Sequence, residues 1–243
     1  INANADGPFF LLLHYFDPHF AYLEHEGFSF ASEAPYSGPI GSGLSFRDLL
    51  KMRAELTRAD LDELERLYDS EIAFTDHHIG RVFHRLRELG IFDEMLIVLT
   101  ADHGEEFFDH GARGHRHTLY DEVTRVPLLI VPPRGGSAVA DVATQVSLSD
   151  LMPTALDYAG VAPPASSDGR TLRPAIEGQA LADRPALSTL YFPSESASGA
   201  QRHRFLHTLR TPAEKLSRTL VLNATGRLRL KEVAWFDLTT DPL

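Results

Sequence analysis

Residues 100–127 read TADHGEEFFDHGARGHRHTLYDEVTRVP and follow directly on the apolar run MLIVLT. His103, His110, His115 and His117 fall in this stretch, with Asp102, Glu105, Glu106, Asp109, Asp121 and Glu122 among them. Gly104, Gly111 and Gly114 mark it as loop rather than helix. Imidazoles and carboxylates crowded together can hold a divalent cation, move protons or grip an anion. A polar loop is often no more than solvated surface. Here, however, Asp102 and His103 stand at the very end of an apolar strand, and in open α/β sheets ligands sit outside the carboxyl ends of strands.

The elements that would position these residues can be read in order. Residues 9–15, FFLLLHY, have the continuous apolar character of a strand buried on both faces, and Asp17-Pro18-His19 stops it. His19 therefore lies at a second strand exit, where by itself it is an ordinary loop histidine. Residues 24–45 are rich in Gly, Pro, Ser and aromatics without period, the mark of a long irregular and functional loop. Thr57 opens a helix to about Leu89, with Leu61, Leu64, Tyr68, Ile72, Ile79, Val82, Phe83 and Leu86 at helical spacing. At about 1.5 Å per residue this helix spans about 50 Å. Asp69, Glu71, Asp76, His77 and His78 are expected mostly on its solvated face, with some helix–loop hydrogen bonds among them.

Further strands are expected at 95–100, at 126–131 and, briefly, at 146–148. A helix capped by Ser149 runs to Tyr158, and a short one covers 171–177. From about Ala186 the pattern becomes alternating short runs, expected as antiparallel strands over 186–191, 204–210, 215–222 and 231–238. Strand, long helix, strand is a crossover unit, so the fold class expected is α/β with a largely parallel central sheet flanked by helices. A small C-terminal antiparallel α+β subdomain follows. The division expected is 1–180 for the α/β domain and 181–243 for the subdomain.

Composition narrows the function. The 243 residues carry a formal net charge of -11, which disfavours the basic face that nucleic-acid binding needs. An acidic protein that handles an anionic substrate must focus positive charge locally, and a divalent cation does so. There are no cysteines, which removes disulfides, thiolate metal sites and a cysteine nucleophile from this chain. No apolar run approaches the roughly 20 residues that span a bilayer. A chain that opens on Ile1 and ends on Asp-Pro-Leu is expected to be part of a longer protein.

Six segments together resemble the sulfatases of the alkaline phosphatase-like superfamily: PFFLLLHYFDPHFAY, the YDSEI…D…IG pattern of the long helix, LIVLTADHGE, HTLYDEVTRVPLLI, VSLSDLMPTALDYAGV and WFDLTTDP. The resemblance covers nearly the whole chain and corresponds to the C-terminal two-thirds of such an enzyme. It implies a metal-dependent sulfuric ester hydrolase in which Asp102 and His103 are two ligands of one divalent cation, Ca²⁺ first, with Mg²⁺, Mn²⁺ or Zn²⁺ as alternatives. His19 resembles the histidine that binds the sulfuryl oxygens or protonates the leaving alkoxide. His117 lies where many relatives carry a substrate-binding lysine, and His115 could substitute in that role. The expected partner is an anionic sulfate or phosphate ester.

The family's formylglycine nucleophile arises from a Cys/Ser-x-Pro-x-Arg motif. The nearest approach here, Ser37-Gly-Pro-Ile-Gly, has Gly41 in place of arginine. The nucleophile, and two further aspartate ligands, are therefore expected upstream of this chain, and the chain alone is expected to be inactive. Alternatives are a phosphodiester or phosphonate monoester hydrolase or a phosphoethanolamine transferase of the same superfamily. A non-catalytic sulfatase-like binding module is the reading from a different class.

Overall fold

The computed structural model describes residues 7–30, 35–52, 56–111, 113–133, 141–195, 201–222 and 227–240. The chain forms two compact units, Ile1–Asp93 and Glu94–Leu243.

The first unit is built on one long helix. A short helix α1 (Phe46–Met52) precedes α2 (Arg58–Glu88). The start of α2 is set by a reciprocal capping box. The Thr57 side chain accepts from the Asp60 N–H, while the Asp60 carboxylate accepts from the Thr57 N–H at 2.7 Å. The hydroxyl of Tyr36 donates to the other oxygen of Asp60 at 2.5 Å, which docks the preceding loop on the cap. That contact, after burial, pushes the Tyr36 phenol up to about 12. Arg85 and Arg87 sit in the last turn, where positive charge opposes the helix dipole, and Gly90 follows at φ +72°.

Leu64, Leu67 and Leu86 bury one stripe of α2. Glu71 lies on the same stripe and is fully buried, so it is one of the residues that makes a helix–loop hydrogen bond and not one of the solvated majority. The segment 17–28 runs along this stripe. Tyr22 meets Tyr68 edge-on at 5.2 Å, and the Leu23 N–H donates to Glu71.

The expected strand over 9–15 is not paired among the described residues, and Phe10 and Leu12 are exposed. An extended apolar run becomes a strand only when a neighbour completes its hydrogen-bond ladder.

The second unit opens with a turn of 3₁₀ helix at Phe92–Glu94, which begins in the first, and then β1 (Ile97–Thr100). A two-residue hairpin follows, β2 (Glu106–Phe107) with β3 (Arg113–Gly114), and then the short α3 (Asp121–Thr124) and β4 (Leu128–Val131). β1 pairs with β4 antiparallel, Ile97 opposite Val131 and Thr100 opposite Leu128. The parallel ladder expected between residues 9–15 and β1, joined through the long helix, is not among the described pairings, all of which are antiparallel.

α4 (Leu151–Tyr158) and α5 (Arg173–Ile176) follow. Asp150, immediately before α4, is fully buried, and it accepts from the Ser147 N–H at 2.9 Å, the Arg170 N–H at 2.9 Å and the Arg184 guanidinium at 2.5 Å. The expected strand at 146–148 gives way to this capping box, because Ser147 and Asp150 start a 3₁₀ turn at Leu148–Asp150. Ser147, not Ser149, is the cap. A Cβ on Gly169 would come within 1.9 Å of the Ser149 carbonyl oxygen, so only glycine lets these segments meet.

The C-terminal residues form one antiparallel meander, β5 (Ala186–Glu195), β6 (Gln201–Arg210), β7 (Glu214–Leu222) and β8 (Leu228–Asp237), paired in chain order. The expected antiparallel strands are all present and longer than read, with a register shift at Thr219/Leu220. Leu206, Thr208, Lys215 and Thr219 point to the buried face.

Candidate active-site loop

The loop after β1 is held by its backbone before any side chain acts. The Gly104 N–H donates to the Val123 carbonyl at 2.8 Å. A Cβ on Gly104 would lie 2.0 Å from the Glu122 carbonyl oxygen, so the glycine is required by this close approach. Thr100 adds a bond from its hydroxyl to the Pro127 carbonyl at 2.8 Å. The end of β1 is thus pinned to α3 and to the entry of β4.

Asp102 and His103 sit at this pinned end. The His103 backbone N–H donates to Asp102 Oδ1 at 3.0 Å. His103 Nδ1 lies 2.9 Å from the Gly104 carbonyl oxygen. A carbonyl only accepts, so Nδ1 carries the proton and Nε2 presents its lone pair. That Nε2 is 3.8 Å from Asp102 Oδ1, and the Asp102 side chain is 74% exposed.

The pair supplies one carboxylate and one imidazole donor 3.8 Å apart, wider than the about 3–3.5 Å between neighbouring ligand atoms of one shell at bond lengths of about 2.0–2.2 Å. The backbone carbonyl that fixes the ring is the usual outer partner of a ligating histidine. Two donors are not a complete shell, and among the described residues no group of three or more His, Asp or Glu side chains is placed to hold a metal ion.

His115 stacks on His103, with ring centroids 3.9 Å apart, and its Nδ1 lies 3.3 Å from Glu105 Oε1. His117 turns the other way round: its Nε2 donates to the Arg113 carbonyl at 2.6 Å, which leaves Nδ1 as the acceptor nitrogen. Asp102, His103 and His115 are thus brought together, and His117 is anchored on the β3 strand of the same loop. His19 belongs to the first unit, where its Nδ1 donates to the Phe20 carbonyl at 2.7 Å and its ring stacks on Phe16 at 4.6 Å.

Two carboxylates organise the rest of the loop. Glu106 is fully buried and accepts from the His110 N–H at 3.2 Å and the Thr118 hydroxyl at 2.9 Å, which closes the hairpin. Asp121, at the start of α3, accepts from Lys215 Nζ at 2.6 Å and from Arg210 Nε at 2.9 Å. Burial pushes the Asp121 carboxyl up, but Lys215 and Arg210 outweigh it and hold the group below the usual carboxylate range. The loop is therefore bolted to the C-terminal meander. The ion pairing that ties the loop down comes from strands β6 and β7. No local pattern announces Lys215, which lies 94 positions from its partner.

Known proteins match this arrangement along the chain. The sulfatase family model matches residues 1–161, and the model described as N-sulphoglucosamine sulphohydrolase, C-terminal, matches residues 107–242. Arylsulfatase K of Bos taurus is 33% identical over 120 residues, 49% of this chain and 22% of that protein. N-acetylglucosamine-6-O-sulfatase of Bacteroides thetaiotaomicron is 33% identical over 147 residues, 59% of this chain and 26% of that protein. The solved phosphonate monoester hydrolase of Silicibacter pomeroyi aligns with a TM-score of 0.62 and 31% identity, over 85% of this chain and 40% of that one. The chain thus spans about a quarter of the length of these curated relatives. With the family model covering well over half of its residues, the chain belongs to the sulfatase family.

Proposed function

We propose that the whole protein is a metal-dependent hydrolase of sulfate esters and that this chain supplies part of its metal and substrate site. The carrying observation is the Asp102–His103 pair, with His103 Nδ1 committed to the Gly104 carbonyl and Nε2 held 3.8 Å from Asp102 Oδ1. Asp102 and His103 hold the divalent cation, Ca²⁺ first, with Mg²⁺, Mn²⁺ or Zn²⁺ as the other candidates. The imidazole donor suits the last three better than it suits calcium, which prefers oxygen. When bound, the cation neutralises charge on the ester oxygens and orients the nucleophile.

The remaining work falls to side chains. His117 and His115 face the anionic ester, with His115 oriented by Glu105. As an oxygen of the nucleophile upstream of this chain bonds to sulfur, the S–O bond to the leaving group breaks, and His19 gives that oxygen a proton so that it departs as a neutral alcohol. Membership of the sulfatase family and the similarity to N-acetylglucosamine-6-O-sulfatase support a sulfated sugar as substrate.

A phosphonate or phosphodiester monoanion is the second reading. It is favoured by the 31% identity to the phosphonate monoester hydrolase and by histidine at position 117 where many sulfatases carry lysine. The finer architecture proposed is a parallel central sheet that includes residues 9–15, with the boundary to the C-terminal subdomain near residue 180. Among the described residues no helix is long and apolar enough to cross a membrane.

The test is the full-length protein assayed on an aryl sulfate and an aryl phosphonate monoester, alone and as His103→Ala. Faster turnover of the sulfate, lost in the variant, is the expected result. A preference for the phosphonate selects the second reading, and unchanged activity in the variant refutes both site assignments.

A further inference from the structure

The stripe of α2 that carries Glu71 holds the segment 17–28 at four points. Thr75 donates to the Asp17 carbonyl at 3.5 Å, and the Leu23 N–H donates to Glu71 Oε1 at 2.5 Å. The His25 N–H donates to Ser70 Oγ at 3.5 Å, and the His25 ring lies flat on Phe74, with centroids 3.7 Å apart. At the centre of this grip two buried atoms have no hydrogen-bond partner, Glu71 Oε2 and His25 Nε2. They face each other at 3.5 Å, with Glu71 1% exposed.

A buried acceptor left unmatched is costly, and here the remedy is one proton. Placed on His25 it gives a charged N–H against a carboxylate, and placed on Glu71 it gives an O–H against an imidazole lone pair. Either way both atoms are satisfied. With no proton, two acceptors confront each other, and with two protons, two donors do. Burial pushes the Glu71 carboxyl above its ordinary range, with help from the charge of Asp17, and outweighs the downward pull of the Leu23 N–H and of His25. Asp17 and His25 are the titratable groups acting on it. Glu24, next along the segment, is paired with Arg66 at 3.0 Å instead.

We propose that Glu71 and His25 hold a single proton between them and form a latch that fixes residues 22–28 on α2 and releases them as that proton is lost. The direction follows from the chemistry. A buried acid raised above its ordinary value stabilises the closed form at acid pH, and that contribution disappears as pH rises through the raised value. The latch lies between His19 upstream and Phe28 downstream. It concerns this segment alone and stands whether or not the hydrolase reading holds.

Hydrogen exchange of the amides of residues 22–28, in the full-length protein in mildly acidic and mildly alkaline buffer, reads the latch directly. Corrected for intrinsic rates, protection in the native sequence should fall about tenfold from acid to alkaline conditions. Glu71→Gln keeps the acceptor for the Leu23 N–H and offers His25 an amide N–H that does not depend on a shared proton, so its protection should not fall from acid to alkaline conditions. His25→Phe keeps the stack on Phe74 but removes the nitrogen that shares the proton, so its protection in acid should lie well below that of the native sequence. A native protein without the fall, Glu71→Gln showing that fall, or His25→Phe as protected in acid as the native sequence overturns the proposal.

Discussion

Replacing Asp121 by asparagine should be among the most damaging single changes in the second unit. The substitution keeps the shape and an acceptor but removes the charge that faces Lys215 Nζ at 2.6 Å. The Lys215 side chain is 4% exposed, so water cannot take over. Breaking a buried pair from one side costs about 3–5 kcal/mol. An independent ceiling agrees. A lysine stranded in this way can shed its proton, which at pH 7 costs about 4.6 kcal/mol from an ordinary pKa of about 10.4. Arg210 does not suffer in the same way, because it also donates to Gln145 Oε1 at 2.7 Å. The expected loss is therefore about 3–5 kcal/mol, read by urea unfolding of the full-length protein.

The double variant Asp121→Asn, Lys215→Met should recover most of that loss, since it removes the stranded charge. Acid lability gives a second readout. Asp121 titrates lower in the folded state than in the unfolded chain, so its contribution is present above the ordinary carboxylate range and is lost as pH falls through its depressed value. The asparagine variant should lack that part of the acid transition. A cost under about 1 kcal/mol, the range of surface pairs, together with an unchanged acid transition, would refute the claim that Asp121 bolts the loop to the meander.

Three further changes test other parts of the chain. His103→Gln should weaken divalent-cation binding by at least the roughly 10–100-fold known for losing a ligand's outer partner, measured by calorimetric titration of the full-length protein; unchanged affinity would remove His103 from the shell. Gly104→Ala drives a methyl into the Glu122 carbonyl and should cost about 3 kcal/mol, with cation affinity falling in step as the loop shifts. Thr57→Ala removes one arm of the α2 capping box and should cost about 1 kcal/mol without touching cation affinity, which separates scaffold from site.

What could be read from the residues and what could not divides along a physical line. Local chemistry was legible. Asp102-His103 at a strand end, Thr57 with Asp60 three positions on, and the alternation after Ala186 each state their structure within a few residues. Partners remote in sequence were not. Nothing near Lys215 names Asp121, and the apolar run 9–15 says nothing about which strand would pair with it. Glu71 is the instructive case, because its signal was local but was masked by its charge. It falls seven positions after Leu64 and four after Leu67, on the stripe that buries, and charge alone suggested the opposite face. Periodicity outranks polarity there, since a helix cannot turn one residue away from the face its neighbours define. A charged residue on an apolar stripe must then meet a partner or give up its charge. In this chain Glu71 meets the Leu23 N–H and His25, which ties that segment to the helix.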